Sequence, residues 1–213
     1  MRSEFAAAVD PIFDRALDLV ARIEQGRCNA PERERQELLQ AFAGGRARCG
    51  HDRRFDYASY ALASWIDELL VDLPWSGAQW WSNNVLEMEL FRTRVCSERF
   101  FTAAREASAD EQRDALEVFY YCVILGFRGV YVDPDRAARV AVSLGIPPTL
   151  ELWLEQTAAM IGSATLPTVP VAAERVISGA PPLGGRLSMV LWSVTAGVLV
   201  VINAAIHQLI VDR

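Results

Sequence analysis

The 213-residue chain contains no lysine, and all 21 of its basic residues are arginine. We read this as genome composition rather than chemistry. Histidine is almost absent too, with only His51 and His207, so general-base catalysis has little to work with. The four cysteines, Cys28, Cys49, Cys96 and Cys122, have no CxxC spacing. They read as reduced structural thiols, and a zinc site on Cys49 and His51 lacks two further clustered ligands. GxSxG, HExxH, GxxxxGK[ST] and GxGxxG are all missing, which removes the common nucleophile, metalloprotease and phosphate-loop chemistries. A net charge of −6 argues against nucleic acid as partner, since phosphate binding needs a clustered basic surface. No apolar run follows Met1-Arg2-Ser3-Glu4-Phe5, so a signal peptide is not expected.

One stretch lacks charge altogether. Residues 187–211 hold no Asp, Glu, Lys or Arg, and only Asp212 and Arg213 follow. As a helix this run reaches roughly 37 Å, enough to cross a hydrocarbon core of about 30 Å with some tilt. The alternative is a buried core helix, but apolar residues occupy every face and no polar stripe is left for solvent. The reading is a single membrane span acting as a tail anchor, with Trp192 near one interface. Asn203 inside it predicts a helix–helix contact, because an amide in lipid needs a partner. Arg175 and Arg186 precede the span, which favours a cytoplasmic location for what comes before it.

Everything upstream reads as helix. Val9, Ile12, Phe13, Ala16, Leu17, Val20 and Ile23 recur at three- and four-residue steps, and Gly26 ends that helix. Asn29-Ala30-Pro31-Glu32 predicts an N-cap and a helix through Phe42, weakened at Gly44-Gly45. A third helix spans about Phe55 to Leu73, its stripe formed by Ala58, Leu62, Trp65 and Leu69, and Pro74 bars its extension. Gln79 to Leu90 and Glu98 to Ala107 are shorter helices. Ser108-Ala109-Asp110-Glu111 reads as a capping box opening a long helix to Leu125. Asp133-Pro134 opens another, closed by Gly145, and Pro147-Pro148 starts a last one to about Ile161. No strand pattern occurs. The prediction is an all-α domain over 1–162, a Pro/Gly-rich linker over 163–186 and the span over 187–211.

Two places could carry function. Asp67-Glu68 are adjacent carboxylates inside an apolar helix. They read as a paired-acid site, a charged docking surface, or two solvated acids. The segment Leu125-Gly126-Phe127-Arg128-Gly129 predicts a tight turn in which Arg128 could pair with a buried acid.

The order of these pieces carries a resemblance. Ala61-Leu62-Ala63-Ser64-Trp65-Ile66-Asp67-Glu68-Leu69-Leu70 comes first, followed by Trp75, Leu90-Phe91 and Glu98-Arg99-Phe100-Phe101. Phe119 to Tyr131, with its Gly126-Phe127-Arg128-Gly129 turn, and the final span complete it. Over about residues 5–211 the chain resembles the TssL/DotU/IcmH family, inner-membrane components of bacterial type VI and type IVB secretion systems. The resemblance implies a hook-like pair of short helical bundles in the cytoplasm, with no catalytic residues, no metal and no cofactor. The implied partners are a TssM/IcmF-like inner-membrane protein, baseplate subunits of the TssK and TssE kinds, and the chain itself. Asp67 and Glu68 match the family's partner-contacting acidic pair. Trp75, Glu98, Phe100, Phe101, Gly126, Phe127, Arg128 and Gly129 match motifs of the fold. Type VI is the first reading and type IVB the second; the rivals are a membrane-bound hydrolase using Asp67 and Glu68 and a generic tail-anchored adaptor unrelated to secretion, which the motif order disfavours. One departure stands out: Cys96-Ser97 occupy a place where the family carries glycines, predicting backbone strain if positive φ is needed there.

Overall fold

The computed structural model describes residues 1, 3–28 and 30–162. The expected linker at 163–186, the span at 187–211 and Asn203 lie outside the described residues. Among those described there are nine α-helices, one 3-10 turn and no strand, so the all-α expectation holds. In chain order they are α1 (Ser3–Glu24), α2 (Pro31–Cys49), α3 (Arg53–Asp72), α4 (Ala78–Asn83) and α5 (Leu86–Phe91). There follow α6 (Cys96–Ala109), α7 (Arg113–Ile124), the 3-10 turn Gly129–Val132, α8 (Pro134–Leu144) and α9 (Leu150–Gly162).

The hub is α3. Ten consecutive residues, 58–67, are buried, so this helix is covered on every face rather than along the single predicted stripe. Ala58, Ala61 and Ala63 let neighbours approach closely, and α1, α2, α4, α5, α6 and α7 all pack on it. A helix segment that is apolar around its circumference, as 58–66 is, is covered on every side in this way. The core is rich in aromatic rings, with Trp65, Trp81, Phe55, Phe100, Phe101, Phe119 and Phe127 all essentially inaccessible.

Several boundaries differ from the sequence expectation, each for a tertiary reason. Helix α2 runs through Gly44-Gly45 to Cys49. A Cβ on Gly45 would stand 2.5 Å from the Phe55 ring and 2.8 Å from the Ala8 carbonyl, so this glycine permits close packing rather than ending a helix. The N-cap of α2 is Ala30, without a side-chain cap, and Asn29 lies outside the described residues. The predicted capping box at Ser108–Glu111 instead closes α6. Glu111 takes φ +58°, and the Gln112 N–H donates back to the Ala107 carbonyl at 2.8 Å, a Schellman-type ending. Asp110 is then placed to accept from the Tyr57 hydroxyl at 2.9 Å and to pair with Arg53 at 2.7 Å. The single helix expected over Gln79–Leu90 is two, α4 and α5, broken at Asn84-Val85. Cys96 and Ser97 open α6 without positive φ, so the strain expected there is absent. Asp133 caps α8 through the amides of Asp135 and Arg136, and Gly145 ends it, as the sequence predicted.

Among the described residues, Arg113–Val132 is the stretch long and apolar enough to cross a membrane. It is not a continuous rod: α7 stops at Ile124 and Gly126 turns the chain. More than half of it is buried, including Val118, Phe119, Cys122 and Val123. It is a core element.

Candidate docking site around the acidic pair

Both acids sit near the C-terminal end of α3, and neither is the solvated side chain that one sequence reading allowed. Asp67 is only 3% exposed. Its Oδ1 accepts from Trp81 Nε1 at 2.9 Å and from the Leu86 amide at 2.8 Å, and its Oδ2 accepts from the Glu87 amide at 2.8 Å. The break between α4 and α5 explains why. Val85, the residue before α5, offers no capping side chain, so the first amides of α5 would be orphaned in the interior. Asp67 serves as their cap from a distant helix.

Glu68 turns to another loop. Its two oxygens accept from the amides of Arg128 and Gly129 at 2.5 and 2.9 Å. Arg128 therefore meets an acid through its backbone, not through the side-chain ion pair the sequence suggested. Its guanidinium instead donates to the carbonyls of Val123 and Phe127 at 2.9 and 3.0 Å, bracing its own turn. Gly126 takes φ +115° and Gly129 takes φ +51°, and a Cβ on Gly129 would stand 2.7 Å from the Ser97 carbonyl. The glycines are thus required by left-handed backbone and by the close approach of α6.

Glu87, missed by the sequence reading, completes the pattern. It is 2% exposed and accepts from the Tyr60 hydroxyl, Thr93 Oγ1 and the amides of Val95 and Cys96 at 2.8 to 3.2 Å. It serves the start of α6, where Val95 supplies no side-chain cap. A local signal existed only in the negative: α5 and α6 both begin without Ser, Thr, Asp or Asn.

The remaining motif residues converge on the same end of α3 or on the turn. Trp75 Nε1 donates to the Leu70 carbonyl at 2.8 Å, and its ring lies 6.5 Å from that of Trp81. Phe127 stacks on Phe100 at 3.9 Å, and Phe101 meets Tyr131 edge-on at 4.7 Å and Trp153 at 5.3 Å. Glu98 pairs with Arg136 at 2.8 Å. The aromatic pair and the glycine turn, 26 positions apart between Phe101 and Phe127, are one packed unit.

Electrostatics follow from burial. Burial pushes the Asp67 carboxyl up to about 6 against the pull of its three donors, so it remains mostly ionised at neutral pH. Glu68 is raised by burial as well, with the Arg128 and Gly129 amides opposing. The Cys96 thiol is pushed up to about 12 by burial, with Glu87 adding to the shift, so it is no nucleophile. Burial also raises the Tyr60 hydroxyl. Both Asp67 oxygens accept from this chain's own donors, and the side chain is buried. Among the described residues no three His, Cys, Asp or Glu cluster as metal ligands. A shallow apolar cavity of about 200 Å³ lies elsewhere, between α6, α7 and α9, lined by Phe101, Leu116, Trp153 and Met160.

The family model of the type VI secretion system protein DotU matches residues 5–209. No curated protein and no solved structure matches the chain. That match covers nearly the whole chain and includes the acidic pair, the aromatic pair and the glycine turn described above. The chain belongs to the DotU family of type VI secretion system proteins.

Proposed function

We propose that this protein is a scaffold subunit of a type VI secretion membrane complex that tethers the baseplate to the bacterial inner membrane. The observation that carries the reading is the family match over 5–209. In this reading residues 1–162 form a cytoplasmic helical domain, 163–186 a linker and 187–211 a membrane span. The flanking Arg175 and Arg186 favour that orientation. The span joins a TssM/IcmF-like protein and a second copy of the chain, with Asn203 as the polar contact. The cytoplasmic domain receives TssK-like and TssE-like baseplate subunits on the face around Glu68. Asp67 acts behind that face by holding α4 and α5 in place. The engagement of both acids by this chain's own donors supports a scaffold over a hydrolase.

The test is a pull-down of the detergent-solubilised full-length protein from its native cells. We expect a TssM-like protein and baseplate subunits with the wild type, and loss of the baseplate alone with Glu68→Gln. The Asp67→Ala/Glu68→Ala form should lose the baseplate too, with a larger fall in melting temperature than the Glu68→Gln form, which keeps one acceptor for the amides of Arg128 and Gly129. Recovery of no secretion subunit with the wild type would sink the reading.

A further inference from the structure

The open side of the bundle between α1 and α7 carries an apolar strip that no other described element covers. On α1, Phe13 tilts against Trp65 with ring centroids 5.3 Å apart, and Leu17, one turn on, is 43% exposed. On α7 and just past it, Tyr121, Ile124 and Leu125 are 45%, 55% and 38% exposed. The Leu125 carbonyl accepts from Trp65 Nε1 at 3.3 Å, so Phe13 and Leu125 meet over the same buried indole. The ammonium of Met1 pairs with Glu117, which brings the start of α1 to the first turns of α7. The two helices therefore run in the same direction as the banks of a shallow trough, with α3 as its floor.

Single exposed apolar residues are ordinary. Here Tyr121, Ile124 and Leu125 stand at i, i+3 and i+4 on α7 and its end, and Phe13 and Leu17 stand one turn apart on α1, with Phe13 and Leu125 sharing the Trp65 indole. That spacing fits the anchors of an incoming helix. The rim is acidic. Asp10 and Asp14 stand on α1, Glu117 on α7, and Glu68 and Asp72 at the end of α3. Among the described residues, Arg15 and Arg22 of α1 bind Glu34 of α2, and Arg128 binds backbone carbonyls.

We infer that the trough between α1 and α7 docks an amphipathic helix from another secretion subunit, apolar on one face and carrying Arg or Lys along both edges. The apolar strip fixes the register of that helix, and the carboxylate rim steers it and rejects acidic competitors. The inference rests on the scaffold reading and adds to it the chemistry of one partner surface. Binding through this rim weakens with ionic strength, because Asp10, Asp14 and Asp72 are exposed.

The test uses full-length protein in native membranes, with a photo-crosslinking amino acid at position 17 or 124 and sequencing of the crosslinked peptide. The expected product is a segment of a different secretion subunit whose apolar residues recur every three or four positions and are flanked by Arg or Lys. Ile124→Arg should lower the crosslink from position 17 by about tenfold, as should Asp14→Arg. Val142→Arg, at an 89% exposed site on α8, should leave it unchanged. All three variants should melt like the wild type, since the replaced side chains are exposed. A crosslink to an acidic segment, to a second copy of this chain or to its own residues 163–213 would overturn the inference. So would copurifying secretion subunits without any crosslink. If no secretion subunit copurifies with the wild type, the scaffold reading fails, and the inference with it.

Discussion

At the scale of single residues, the acidic pair divides its labour by direction. Adjacent positions on a helix point about 100° apart, so Asp67 reaches α4 and α5 while Glu68 reaches the turn at 128–129. Asp67→Asn places an amide donor against either the Glu87 amide or the Leu86 and Trp81 donors. We expect a loss of about 2 kcal/mol, measured by urea denaturation at pH 7. The pH dependence has a definite sign. A folded-state value of about 6 against an ordinary 3.8 means the folded protein holds more protons between those limits. The contribution of Asp67 is therefore complete below pH 4 and declines as pH rises through about 6, by about 3 kcal/mol in all. Denaturation of wild type and Asp67→Asn at pH 4.5 and pH 7.5 checks this: the advantage of the wild type should shrink at the higher pH, and equal differences at both would contradict it.

At the scale of elements, remote contacts replace local caps and local breaks. The start of α5 is capped by Asp67, that of α6 by Glu87 and that of the 3-10 turn by Glu68. The Asp67 and Glu68 pairs lie 19 or more and 60 or more positions apart, beyond any short sequence window. Gly129→Ala sets a methyl 2.7 Å from the Ser97 carbonyl in left-handed backbone. It should cost about 2 to 3 kcal/mol and loosen the Phe100–Phe127 stack, which thermal melting and near-ultraviolet circular dichroism would register. Helices α1 and α2 are joined differently, through buried Glu34. It accepts from Arg22 at 2.8 and 2.6 Å and from Arg15 at 2.6 Å. Hydrogen bonding from Arg22 holds the Glu34 carboxyl below its ordinary value, so this link is present above about pH 4.5 and is lost as pH falls below it. Glu34→Gln should lower stability by about 2 kcal/mol at pH 7, with the difference fading in acid. What was legible here was the local chemistry: Pro31 starting α2, Asp133 and Gly145 bounding α8, and Pro74 stopping α3 all follow from backbone geometry within a few residues. The breaks at Asn84-Val85 and Ser108–Glu111 were not: distant Asp67 caps the first, and at the second a non-glycine residue, Glu111, takes the left-handed φ that ends α6.

For the whole molecule, one stretch among the described residues is long and apolar enough to cross a membrane, and packing assigns it to the core. Arg113–Val132 is spent on the core against α3 and α6. The uncharged run at 187–211 has no such assignment among the described residues, and we expect it to hold the protein in membranes. Alkaline extraction should leave the full-length chain in the membrane pellet, and replacing Leu199 and Val200 with arginine should release it. Asn203→Leu should abolish self-association in detergent while leaving the pellet unchanged; unaltered association would sink the role given to Asn203. The sequence alone determined that the described residues fold as an all-α domain and which family the chain belongs to. These depend on composition, periodicity and motif order, which are one-dimensional. Tertiary structure alone decided that Asp67 is an internal cap, that Gly45 is a packing contact, that the Phe100-Phe101 pair receives the glycine turn, and that α1 and α7 bank an open trough. Each of these is a contact between residues far apart in the chain, and burial, not spacing, sets its chemistry.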